Sequence, residues 1–271
     1  MISSDFITEW RSHVPWITND QVEQDLVISK ALVEIYKNTY LQKKIAFRGG
    51  TALHKLHLEK PYRYSEDLDF IQIEPESIGE TLDQLKLVLD SWLGTPKRET
   101  KKDLVKLIYR FESTDGNPLK LKVEINSREH FLSKKLQSYP YTIKTRWYSG
   151  TANINSLELA WLLGSKLRAL YQRKKGRDLF DLFVVLKSNL VPPQDIVTSF
   201  LDHMNENKIT RANFEENLYD KLKSPIFNSD LTPLLSGHDT FDMENAVKYI
   251  LKNLIALLPG NSWKKLEKLK L

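Results

Sequence analysis

Cysteine is missing from this sequence altogether. Its absence excludes disulfides, thiol nucleophiles and cysteine-ligated zinc, and it fits a reducing compartment. Long apolar runs are missing too, and none approaches the roughly 18 residues of a membrane span. The first ten residues, MISSDFITEW, lack a basic region followed by an apolar one, so no signal peptide is expected and the chain reads as cytoplasmic. Neither an internal repeat nor a low-complexity segment is present. Excess charge is small, with 40 Lys and Arg against 35 Asp and Glu, a net +5. The cations are clustered, however: Lys97 and Arg98 with Lys101 and Lys102; Lys134 and Lys135; Arg173, Lys174, Lys175 and Arg177; and the stretch 264–270. Such clusters favour a polyanionic partner over simple solvation. With 271 residues, 41% hydrophobic and 28% charged, the chain can bury a core without a metal or disulfide to hold it.

Apolar periodicity predicts a helix over 20–41, with Val22, Leu26, Ser29, Val33 and Tyr36 in one stripe and Asn19 or Asp20 as its cap. A short strand over 45–47 leads to a glycine pair, and a short helix follows. A second strand covers 68–73, and a helix over 77–93 stops at Gly94, Thr95 and Pro96. Strands over 104–111 and 119–125 flank a turn at Asp115–Gly116. Residues 128–152 read as an irregular, basic and aromatic seam containing Phe131, Tyr139, Tyr141, Arg146, Trp147 and Tyr148. Those rings either stack on bases or pack as a loop between domains. Asn155 and Glu158 form a capping pattern for a helix reaching Arg173. Helices over 193–204, 210–223 and 241–258 complete a helical half, and the basic C-terminal end reads as a solvated terminal helix.

Chemistry concentrates in 47–72, FRGGTALHKLHLEKPYRYSEDLDFIQ. Adjacent glycines let a backbone approach a phosphate or take positive φ. Thr51 is placed to cap the following segment, leaving N–H groups for an anion. Asp67 and Asp69, two apart on a strand, share one face with α-carbons about 7 Å apart. Paired carboxylates of this kind suit Mg²⁺ together with substrate phosphates. His54 and His57 lie three apart, but without a third ligand they read as packing or surface histidines. Lys166 falls in the apolar stripe of Leu159, Leu163 and Leu170, where it either snorkels to solvent or meets an anion. Asp181 is surrounded by apolar residues and needs a cation, with Lys166 or Arg177 as candidates. Asp178, three residues earlier, faces the same way and suits a helix N-terminus.

Gly49-Gly50-Thr51 followed by Arg63-Tyr64-Ser65-Glu66-Asp67-Leu68-Asp69 resembles the signature of AbiEii-type and MenT-type toxin nucleotidyltransferases, in the DNA polymerase β-like superfamily. Lys166 ahead of Arg177-Asp178-Leu179-Phe180-Asp181 resembles that family's second element. The resemblance implies an α/β fold: an N-terminal nucleotidyltransferase mixed sheet with flanking helices over 1–152, then a helical bundle over 153–271. It implies an active site drawing on both. Asp67, Asp69 and Glu124 would hold Mg²⁺, with Glu124 also orienting the acceptor hydroxyl. Gly49, Gly50, Thr51, Ser65, Lys166, Arg177 and Asp178 would contact a nucleoside triphosphate, and Asp181 would orient Lys166. Two metal ions about 4 Å apart would serve the attacking and leaving oxygens. The implied reaction moves a nucleoside monophosphate to the 3′ end of tRNA and blocks translation, with a cognate antitoxin as partner. A protein or small-molecule acceptor, such as an antibiotic, and a non-catalytic RNA- or antitoxin-binding relative are the alternatives.

Overall fold

Seven strands form one mixed sheet in this computed structural model, which describes residues 2–130, 135–204, 209–235 and 241–265. They are β1 (Ile45–Arg48), β2 (Asp67–Gln72), β3 (Lys97–Lys101), β4 (Leu104–Glu112), β5 (Pro118–Asn126), β6 (Leu136–Lys144) and β7 (Ser149–Leu157), in the order β3-β4-β5-β2-β1-β7-β6. The pairs β2–β5 and β1–β7 are parallel, and the other four are antiparallel. Of the inner strands, β1, β2, β4 and β5 are the expected ones. Leu107, Tyr109, Leu121, Val123 and Ile125 are buried along β4 and β5, next to Phe70 and Ile71 of β2 and Phe47 of β1.

Three helices precede the sheet: α1 (Ser4–Arg11), α2 (Asn19–Lys37) and α3 (Thr39–Lys44). The cap of α2 is Thr18, one residue before the expected Asn19. Its hydroxyl accepts from the Gln21 N–H while the Gln21 side chain accepts from the Thr18 N–H, a reciprocal arrangement that Asn19 has no partner to form. The expected stripe of α2 is buried, and so are Ile28, Ala31, Leu32 and Ile35, because α2 packs against α1, α3 and several strands at once. Between β1 and β2 lie α4 (Gly49–Ala52) and a single π-turn (Leu53–His57). Helix α5 (Gly79–Leu93) links β2 to β3 and ends at Gly94, whose φ of +77° closes it.

Three expectations need correction. The stretch 128–152 is not an irregular seam: β6 and β7 form a hairpin of two nine-residue strands, while Phe131 and Lys134 lie outside the described residues. Trp147 and Tyr148 close, with Trp92, around the Lys30 ammonium at 4.1–5.5 Å from the ring centres. Asn155 caps no helix. It sits in β7, and its side-chain amide donates to the Gln42 carbonyl, so the next helix starts only at Leu159. Finally, β3 adds an edge strand where charged residues gave no apolar pattern.

The chain divides into two compact units, Met1–Glu158 and Leu159–Leu271. The second contains α6 (Leu159–Gln172), α7 (Gly176–Lys187), α8 (Pro193–Met204), α9 (Arg211–Leu222), α10 (Pro225–Ser229) and α11 (Met243–Asn253). The last of these is shorter than expected, giving way to a 3₁₀ turn at Ile255–Leu257. Helix α6 packs on α7 and α8. Gly164 permits the second contact, since a Cβ there would lie 2.6 Å from the Ser199 Cβ. Most of the basic tail, from 266 onward, lies outside the described residues. Among those described, no helix is long and apolar enough to cross a membrane.

Candidate functional site

Strand β1 runs straight into the glycine pair, and the geometry there is restrictive. Gly49 has φ +84°, and a Cβ on it would stand 2.2 Å from Oδ2 of Asp69. Both the backbone angle and the approaching carboxylate therefore require glycine. A Cβ on Gly50 would meet Arg63 Nη2 at 2.5 Å and Ser65 Oγ at 3.1 Å. Thr51 is not a cap, because the positive φ starts α4 already at Gly49 and leaves the cap position to Arg48, whose side chain makes no capping bond. The Thr51 hydroxyl donates instead to the Asp67 carbonyl at 2.6 Å and lies 2.9 Å from Ser65 Oγ. Gly49, Gly50, Thr51, Ser65, Asp67 and Asp69 are thus gathered around one turn.

Sheet register sets the electrostatics. Parallel pairing of β2 with β5 places Asp67 beside Lys122 and Asp69 beside Glu124. Antiparallel neighbours then add Arg48 next to Asp69 and Lys106 next to Glu124. The result is a row across four strands: cation, carboxylate, carboxylate, cation. Two facing carboxylates repel, and the lysines around them relieve the repulsion. Lys106 Nζ is 2.6 Å from Glu124, and Lys122 Nζ is 2.9 Å from Asp67. Arg48 pairs with Glu129. Burial works against the charge on Lys122, but Asp67 outweighs it and holds the ammonium pKa above its ordinary value.

Asp67 and Asp69 supply hard oxygen donors on one face of β2. They fit Mg²⁺, which takes one or two protein carboxylates and fills its shell with waters and substrate phosphates. Among the described residues, no group of three His, Asp or Glu side chains gathers into a complete metal cage, and Glu124 is engaged by Lys106. The two histidines are packing residues in their surroundings: His54 is buried, and His57 lies edge-on to Tyr139 with its pKa pushed down to about 4 by burial.

The helical unit holds the second set. Lys166 on α6 is 5% exposed, and its Nζ lies 2.9 Å from Asp181 and 3.5 Å from Asp178, both on α7. Arg173 adds a two-pronged contact to Asp178 at 2.7 and 2.9 Å. Burial disfavours the Asp178 carboxylate, yet Lys166 and Arg173 outweigh that and hold its pKa below the usual range. Arg177 stands apart from this cluster. Its backbone N–H and guanidinium face Asp230.

The sequence assigns no site role to Lys106, Lys122, Arg63 or Arg173. Lys122 precedes Glu124 by two in a strictly alternating strand, and that spacing was its one visible mark. Arg173 belongs to a basic run that reads as favouring a polyanionic partner, which hides its place beside Asp178.

Comparisons agree with this architecture. MenT4, a nucleotidyltransferase toxin from Mycobacterium tuberculosis H37Rv, superposes with a TM-score of 0.66 at 16% identity, over 99% of this chain and 93% of its own. JHP933 from Helicobacter pylori gives 0.56 at 17%, over 94% and 96%. A putative nucleotidyltransferase from H. pylori gives 0.54 at 18%, over 93% and 99%. At such identities the likeness is one of fold. Comparison with curated proteins gives no match. The profile of one family, described as nucleotidyl transferase AbiEii toxin of type IV toxin–antitoxin systems, matches residues 30–253. The chain belongs to the AbiEii nucleotidyltransferase toxin family.

Proposed function

We propose that this protein transfers a nucleoside monophosphate from a nucleoside triphosphate to the 3′ end of tRNA in the cytoplasm, releasing pyrophosphate and blocking translation, and that a cognate antitoxin restrains it. Family membership supports the enzyme class, the triphosphate substrate and the antitoxin. One observation carries the site: Asp69 lies against a glycine that tolerates no side chain, and its sheet partner is Glu124. Packing alone has no use for two facing carboxylates.

In this reading Gly49, Gly50, Thr51 and Ser65 hold the β- and γ-phosphates. Lys166, oriented by Asp181 and Asp178, balances their charge. Asp67 and Asp69 would hold Mg²⁺, which when bound supplies Lewis-acid charge neutralisation at the phosphate. Glu124 orients the acceptor hydroxyl and takes its proton.

The test incubates wild type, Asp67→Ala and Asp69→Ala with each labelled nucleoside triphosphate, Mg²⁺, total RNA and lysate protein. Label should enter tRNA and fall by at least 10²–10³-fold in either variant, the loss expected when one electrostatic element of a transfer site is removed. Wild-type rates in either variant overturn the metal assignment. Label on protein alone moves the acceptor away from RNA.

A further inference from the structure

Alternation along β4 and β5 sorts this part of the sheet into two faces. Val105, Leu107, Tyr109, Leu121, Val123 and Ile125 are buried on one of them. The other carries Asp69 and Glu124, and register arranges its side chains into successive rows. In the first row Glu124 stands between Asp69 and Lys106. Two residues back along β5, about 7 Å away, Lys122 stands between Asp67 and Ile108, and β3 adds Lys97 beyond Ile108. Two residues further back, Lys120 faces Arg110 directly. The face thus passes from acid to base over about 13 Å of strand.

Packing gives no account of the Arg110–Lys120 pair. Like charges directly opposite each other destabilise an antiparallel pair. Elsewhere on this face the cations are matched: Lys97 by Glu99 at 2.6 Å, Lys106 by Glu124 and Lys122 by Asp67. Arg110 and Lys120 are both exposed, and among the described residues neither forms an ion pair. The exposed Glu112, two residues past Arg110, bounds the basic end. An anion lying across the two strands would relieve the repulsion.

We propose that this face of β4 and β5 carries the phosphodiester backbone of the acceptor RNA. The chain end lies at Asp69 and Glu124, and upstream phosphates lie over Arg110 and Lys120. The order of charge sets that direction. A terminal hydroxyl is neutral and tolerates two carboxylates, whereas a phosphate in their place would be repelled. Internal phosphates supply the anions that the Arg110–Lys120 pair lacks. An acidic protein fits less well, because it would set its own carboxylates against Asp69 and Glu124. Arginine and lysine contacts to phosphate position a strand without reading its bases, so binding here depends on charge and on the chain end. The inference rests on the nucleotide-transfer reading, which supplies the acceptor.

The experiment titrates a fluorescent single-stranded RNA oligonucleotide, bearing a free 3′ hydroxyl, with the full chain in EDTA, and follows anisotropy at several salt concentrations. Arg110→Gln and Lys120→Gln should each weaken binding roughly fivefold at about 0.1 M salt and flatten the slope of log K against log salt by about 0.7. Each should also leave the melting temperature unchanged or raise it, since it removes a repulsion. Lys252→Gln, which takes an exposed cation from α11, makes the same change in net charge and should alter neither affinity nor slope. The same oligonucleotide with a 3′ phosphate should bind more weakly. If both β-strand variants keep wild-type affinity and salt slope, the assignment of this face falls, while the transfer reading still stands on labelling by the Asp67 and Asp69 variants. Equal affinity for the 3′-phosphorylated oligonucleotide overturns the placement of the chain end. Polyglutamate binding that Arg110→Gln abolishes, with RNA binding intact, overturns the proposal in favour of an acidic protein.

Discussion

At Gly49 the backbone angle and the neighbouring Asp69 carboxylate exclude a side chain independently. Gly49→Ala therefore carries two penalties. A left-handed non-glycine residue costs about 1–2 kcal/mol, and the new Cβ must displace a carboxylate that would otherwise lie 2.2 Å away. Displacements of about 1 Å in a positioned group cost near 10² in rate, so the variant should melt lower and lose transfer of that order. A thermal melt and a labelling assay on one preparation check both. Asp178 makes a prediction about acid. Its pKa is depressed in the folded protein, so its stabilising contribution is complete above the unfolded value of about 3.9 and is lost as pH falls through the lower folded value. Acid unfolding should steepen below about pH 4, and Asp178→Asn should flatten the curve in that window. Asp181 is conspicuous in the sequence because it interrupts an apolar run, and Asp178 because it stands at a helix start. Their shared use of Lys166 is not, since two helices must pack before the distance exists.

Helices α6 and α7 are tied by charge as well as by leucines. Lys166 lies between two buried carboxylates, of which Asp178 is also held by Arg173, and removing one member of a buried charge group costs about 3–5 kcal/mol. Lys166→Met should therefore lower the melting temperature whatever else Lys166 does. Its proposed phosphate role adds a separate expectation: turnover per folded molecule should fall about 10²–10³-fold. Normal turnover in the folded fraction removes Lys166 from the phosphate site and leaves it as a tie between two helices. Elements with strong periodicity, α2, α5, β4, β5 and α8, were legible in the sequence. Two of the missed strands, β3 and β6, share a cause. β3 is Lys-Arg-Glu-Thr-Lys, wholly exposed, a strand only because β4 pairs with it. β6 is largely exposed and contains Pro140, which edge strands tolerate but which argues against a strand when read locally. The carboxylate row was half legible from the residues: spacing marked Asp67 and Asp69, while Glu124 came in only through the family resemblance, because its place beside Asp69 depends on sheet order.

For the whole molecule, a toxin of this family should arrest growth when expressed in a bacterium, and Asp69→Ala should be tolerated at equal protein level. Growth curves with immunodetection check this, and equal toxicity of the two would indicate harm through binding rather than transfer. The parallel pairing of β1 with β7 has a further consequence, one of timing. Every acidic residue of the first unit's site has been synthesised by Asn126, yet β1 acquires its second neighbour only when Ser156 can reach Phe47. Until then a hydrophobic strand beside the glycine turn presents an open edge, which is prone to pair with other chains. Contacts so distant along the chain also close slowly. The ribosome must therefore release some thirty residues beyond the last site carboxylate before the sheet closes, an interval in which a nascent toxin is more exposed to chaperones and proteases than to its substrate.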